Sequence, residues 1–177
     1  MKWIKFLFLI IGSMCLACSE PEEDVMKKVS CNLFKQSFEV MKGEGCTDVY
    51  AKECLDYANN LSDEIKLKLY KATILLYDEM LSAQEMPSVE FKSPPEILNH
   101  LEPRLLIVSE QESAGVLVFH MELHLDNGDS IEWLVRGDKV LYVGRFVYEY
   151  EWSPEHEFKN DFSNYINYIE PGGFSLE

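Results

Sequence analysis

Basic residues are scarce in this sequence. Its 177 residues carry 16 Lys and Arg against 31 Asp and Glu, a formal net charge of −15. A chain this acidic lacks the cationic surface that neutralises phosphates, which argues against nucleic acid as a partner. Glycine and proline are few, at nine and seven, while 47% of residues are apolar. That balance excludes collagen-like, low-complexity and disordered chains. No apolar run reaches the ~20 residues a membrane-spanning helix needs. Beyond residue 18 there is no Cys-x-x-Cys pair, and the sequence has no Gly-rich phosphate loop, no Gly-x-Ser-x-Gly and no His-Glu-x-x-His. Structural zinc, nucleotide, serine-hydrolase and zincin chemistry therefore have no motif here. With no internal repeat and no long linker, one domain is expected.

The N-terminus carries the first positive signal. Lys2 and Lys5 precede the unbroken apolar stretch Phe6–Ile11, and small residues then lead to Cys18. This is the layout of a secretory leader. The stretch Cys15-Leu16-Ala17-Cys18 resembles the lipobox of bacterial lipoproteins. That resemblance implies cleavage after residue 17, lipid on Cys18 and anchoring in the cell envelope, facing the periplasm. Ser19, where an Asp would signal inner-membrane retention, implies the outer membrane. The same small-residue site also suits ordinary signal peptidase, which would release a soluble periplasmic protein. Several acyl chains hold a protein firmly, since each buried methylene contributes ~0.8 kcal/mol. Residues 18–24, rich in Glu, read as a solvated acidic tether, followed by a domain over 25–170 and a tail over 171–177.

The first half of that domain reads as helical. Met26, Val29, Leu33, Phe34, Phe38 and Met41 recur at helical spacing until Gly43 and Gly45. Tyr50, Cys54, Tyr57, Ala58 and Leu61 form a second stripe. Ser62 caps a third helix running to about Ala83, apolar on two sides and so expected inside. If the first two helices fold back at Gly43-Glu44-Gly45, Cys31 and Cys54 come level to within ~4–5 Å at a rise of ~1.5 Å per residue. Cys46 and Cys54 on one helix would sit ~12 Å apart, beyond the ~7 Å Cα limit for a disulfide. The expected bridge is Cys31–Cys54.

Beyond Pro87 the pattern changes. Val89–Phe91 is a short extended piece, Ser93-Pro94-Pro95-Glu96 starts a short helix, and strands follow over 105–108, 116–125, 130–136 and 139–152. Parity sets the register of the second and third strands. A three-residue Asp126-Asn127-Gly128 loop pairs Leu123 with Ile131, Met121 with Trp133 and Phe119 with Val135, giving one apolar face. A two-residue Gly137-Asp138 turn extends that face through Val140, Tyr142, Phe146 and Tyr148, with a bend expected at Gly144. Ser153-Pro154 starts a last helix carrying Phe158, Phe162, Tyr165, Ile166 and Ile169.

Two stretches, Phe91–Ile97 and Leu134–Val140, are similar to the strand–turn–short-helix and strand–turn–strand segments of the nuclear-transport-factor-like and SnoaL-like fold. The likeness spans roughly 88–150. It implies an α+β fold in which N-terminal helices pack on a curved, mainly antiparallel sheet to form a cone, here followed by a C-terminal helix. Enzymes of that fold keep acids, Tyr or His inside the cone. The inner face inferred here holds no Asp, Glu or His, so no catalytic residue carries over.

Two candidate sites remain. Trp133, Tyr142 and Tyr148, with Phe119 and Met121, could line an apolar ligand pocket or simply be core. On the opposite face, His120, Glu122 and His124 lie near Glu132, the one group resembling metal ligands. However, His120 and His124 are ~13 Å apart along a strand. Leu134, Leu141, Val143 and Val147 on that face call for cover by the terminal helix or by the second subunit of a homodimer. The expected protein is a lipid-anchored, non-catalytic envelope protein that needs no cofactor and binds an envelope protein or an apolar ligand. The alternative is an isomerase-, cyclase- or hydrolase-type enzyme acting on a small apolar substrate.

Overall fold

The computed structural model describes residues 24–111, 113–146, 158–159 and 161–170. Strands β1 (Asp24–Cys31) and β2 (Gln36–Lys42) open the fold, followed by helices α1 (Asp48–Asn59) and α2 (Asp63–Ala83). A short 3-10 helix (Pro94–His100) leads into β3 (Leu101–Val108), β4 (Val118–Leu125), β5 (Ser130–Arg136) and β6 (Lys139–Arg145), and α3 (Ile166–Ile169) follows. The six strands form one sheet in chain order, β1 to β6. All neighbours are antiparallel except β2 and β3, which run parallel. Parallel neighbours need a long crossover, and α1, α2 and the 3-10 helix supply it.

This overturns the expected cone of N-terminal helices on a mainly antiparallel sheet. Residues read as the first helix form the β1–β2 hairpin. Its turn, residues 32–35, reverses at Lys35, in the left-handed region at φ 55°, a position where neither Gly nor Asn stands to announce it. Phe38 and Val40 then alternate into the core, and Phe34 packs at the turn. The two apolar periods compete over so short a window, and sheet pairing decided between them.

Other local readings stand. Ser62 caps α2 through Ile65 N, as expected; Thr47, which no expectation named, caps α1 through Tyr50 N. The β4–β5 register pairs Phe119 with Val135, Met121 with Trp133 and Leu123 with Ile131, with Gly128 at φ +93°. Pro103 lies inside β3 rather than ending a helix. Its missing N–H costs no ladder bond to β2, because that pairing begins only at Leu105.

Helices α1 and α2 cover one sheet face. Trp133 lies at the centre of that core, fully buried between Phe34 and Tyr70, and its indole N–H donates to Thr73 Oγ1 at 2.9 Å. On β6 the expected face fails. Leu134 pairs with Tyr142 and Val135 with Val140, so Leu141 is an extra residue. This bulge sends Val143 to the helix side and Tyr142 to the other, where it joins Val118, Leu134, Leu141 and Phe158. The irregularity falls at Leu141 and not at Gly144. The glycine instead lets the Tyr142 ring lie along its own strand, and a Cβ there would also meet the Ser163 carbonyl at 2.8 Å.

The edge of β6 is bonded by the Asn164 side chain and by Tyr165 N, which donates to the Val143 carbonyl at 2.8 Å. Buried Asn164 accepts from Val143 N at 3.1 Å and donates to the carbonyls of Leu141 and Phe158 at 2.7 and 3.1 Å. Together the Asn164 amide and Tyr165 N take the place of a seventh strand. Of the expected terminal helix, residues 158–159 and 166–169 are helical, its start at Ser153 lies outside the described residues, and Phe162, placed on its buried stripe, is exposed.

Candidate functional site

The sheet face away from α1 and α2 has two halves. Over β5 and β6 it is buried under Phe158 and Tyr142. Over β1 to β4 it is open at the end that carries Lys28, Ser37, Glu39, Glu102 and Arg104, all exposed, while Met41 and Ile107 toward the other end are buried. The boundary runs along β4, which presents His120, Glu122 and His124 to this face. Glu122 stands directly opposite Glu132, as the register requires.

These four residues separate into two pairs. His120 Nδ1 is hydrogen-bonded to Glu132 Oε1, and both side chains are buried. The His120 Nε2 atom is buried and has no hydrogen-bond partner among the described residues. His124 lies at the border of the open half. Arg104 Nε donates to its Nδ1 at 3.1 Å, and its Nε2 lies 3.1 Å from Glu122 Oε1. A guanidinium has no acceptor, so Nδ1 carries the lone pair and Nε2 the proton given to Glu122. Among the described residues no group of three or more His, Cys, Asp or Glu is placed to hold a metal ion.

The aromatic set is not brought together. Trp133, Phe119 and Met121 are fully buried core, Tyr142 lies on the opposite face, and Tyr148 is outside the described residues. The thiols do not pair either. Cys31 ends β1, Cys54 lies within α1, and Cys31, Cys46 and Cys54 are all free. The helical hairpin that would have brought Cys31 and Cys54 level does not exist. Burial pushes all three thiols up. Of the face residues expected to need cover, Leu134 and Leu141 are buried against Phe158, Val143 points into the core, and Val147 lies outside the described residues, as does Cys18.

A third cluster was missed by sequence reasoning. His100 ends the 3-10 helix and Asp126 follows β4. The pairing of Leu101 with Leu125 makes them neighbours across the strand ends. His100 Nδ1 lies 2.8 Å from Asp126 Oδ2, and Tyr77 of α2 donates to Asp126 Oδ1 at 2.6 Å. Burial opposes ionisation of Asp126, but the bonds from Tyr77 and His100, with the charge His100 carries when protonated, outweigh it and hold the carboxyl below its usual range. Burial and then Asp126 push the Tyr77 phenol up. The signal lay in the β3–β4 register, which the sequence left unset.

Two depressions join these groups on the open half. One of about 340 Å³ is lined by Lys28, Ser37, Glu39, Arg104 and Glu122, the other of about 280 Å³ by Gln36, Asn99, His100 and Asp126. Glu102 and His124 line both. The first is floored by small Ser37 and by the register shift between Pro103 and Leu105.

Fold and surface together define a single-sheet protein with helices on one face and a polar, histidine-bearing groove on the other. A family model described as a domain of unknown function (DUF6985) matches residues 17–150, and the chain belongs to that family. No curated protein and no solved structure matches the chain.

Proposed function

We propose that this protein is a lipid-anchored component of the bacterial cell envelope that binds a partner protein on the open face of β1 to β4. The observation that carries the reading is the pair of adjoining depressions on that exposed half, beside an interior filled by Trp133, Phe119 and Met121. A filled interior gives no room for an apolar ligand, which moves recognition to the polar face. The Leu16-Ala17-Cys18 signal supports the anchor. Only a few residues separate Cys18 from Asp24, where edge strand β1 begins, so the acyl group would keep this sheet edge beside the membrane.

Two measurements test the reading. Labelling with a palmitate analogue is expected to mark the wild type and not Cys18→Ala; equal label in both refutes the anchor. A photo-crosslinking residue at Glu39 is expected to capture a discrete envelope protein in living cells, while one at exposed Leu67, on the helix side, does not. Identical patterns from the two positions refute the face assignment.

A further inference from the structure

We infer that His100 is a general base, held by Asp126 in the tautomer that leaves Nε2 free, which activates water against small acyl esters in the 280 Å³ depression. A base needs one tautomer, a fixed ring and an accessible nitrogen. The tautomer follows from Asp126, an ionised acceptor 2.8 Å from Nδ1, so the proton sits on Nδ1 and the lone pair on Nε2. Tyr77 fixes the carboxylate by its other oxygen, and the backbone bond from Asp126 N to the His100 carbonyl at 3.1 Å ties the two residues' main chains. The ring is set by Phe91, edge-on at 5.4 Å and 83°, and by Tyr77 at 5.5 Å. The His100 side chain remains 26% exposed, and it lines the depression together with Gln36 and Asn99, two residues that carry side-chain amides. Those amides are neutral donors of the kind that stabilise a developing oxyanion.

The step conserves atoms and charge. His100 Nε2 takes a proton from water as the water oxygen bonds to the acyl carbon and the carbonyl electrons move onto oxygen. Collapse of that adduct breaks the bond to the leaving alkoxide or phenoxide. The proton on His100 then passes to solvent.

The test is hydrolysis of p-nitrophenyl acetate by the full chain, compared with imidazole at four times the protein concentration, one for each histidine. A general base contributes about 10²–10⁴-fold, so the wild type is expected to exceed imidazole by at least ~100-fold. His100→Gln is expected to fall to the imidazole rate with an unchanged circular dichroism spectrum. Asp126→Asn is expected to lose most of the rate for a different reason. Its amide can donate to Nδ1, which drives the proton to Nε2, and nitrogen-15 NMR of the ring reads that exchange directly. A wild-type rate equal to imidazole overturns the inference, as does a His100→Gln variant that keeps its rate. Wild-type activity in Asp126→Asn overturns the role given to Asp126. Neither readout depends on the anchor or on a bound partner, so the inference and the binding reading fail separately.

Discussion

Replacing Thr73 by Val tests the centre of the core with almost no change of shape. Thr73 Oγ1 accepts the Trp133 indole N–H at 2.9 Å and donates to the Leu69 carbonyl at 2.7 Å, and both Thr73 and Trp133 are fully buried. Valine fills the same volume with a methyl in place of the hydroxyl. The Leu69 carbonyl keeps its α-helical partner, so its loss is small. The indole N–H loses its Thr73 acceptor in a fully buried site, a penalty of about 1–3 kcal/mol. A domain of this size shifts its thermal midpoint by roughly 2–4 °C per kcal/mol, so a fall of about 2–12 °C is expected. Thr73→Ser keeps the hydroxyl and loses one methyl, which costs about 1 kcal/mol. The assay is urea unfolding followed by far-ultraviolet circular dichroism, with the slope m required to stay constant. A Thr73→Val protein as stable as Thr73→Ser would refute the claim that the hydrogen bond, and not the packing, is what the hydroxyl contributes. A cycle with Trp133→Phe should then recover the coupling, since removing the donor removes the penalty.

Three further outcomes are expected. Gly144→Ala should destabilise by more than about 2 kcal/mol because its methyl meets the Tyr142 ring and the Ser163 carbonyl, whereas Gly128→Ala, left-handed but in open space, should cost about 1; urea midpoints give the order. The folded-state lowering of Asp126 contributes stability that is complete above its unfolded pKa and is lost as pH falls through the folded one. The stability gap between wild type and Asp126→Asn should therefore close in acid, and a gap that widens there would contradict the sign. Iodoacetamide should reach half-buried Cys46 first and buried Cys31 and Cys54 only in denaturant; a crosslinked Cys31–Cys54 peptide in a non-reducing map would contradict the free thiols.

How legible each part was depends on how local its cause is. The caps at Thr47 and Ser62 act within three residues, and Ser62 was readable at once. The β4–β5 register followed from parity, because slipping by one residue would have turned Met121 and Trp133 to the wrong face. The β1–β2 hairpin was unreadable because Lys35 gives no turn signal and because Val29, Leu33, Phe34, Phe38 and Met41 recur at helical spacing. The bulge at Leu141 was equally silent, since it inserts an apolar residue among apolar neighbours, and it alone moved Tyr142 off the expected face. For the site, the opposition of Glu122 and Glu132 was legible from register. The His100–Asp126 contact depended on how β3 aligns with β4, and the proline in β3 concealed where that strand begins.

The single parallel seam between β2 and β3 has a consequence for the order of assembly. Strands β3 to β6 are joined by short reversals and need only contacts between near neighbours in the chain. The β1–β2 hairpin, although synthesised first, gains its place only after the whole helical crossover has closed behind it, and loop closure over that span is the slow, entropically costly event. The meander is thus a template awaiting its first-made strands. During that interval the exposed flank of β3 is a vacancy that another chain's β2 could fill, so exchange of the N-terminal hairpin between copies is the misassembly this topology favours.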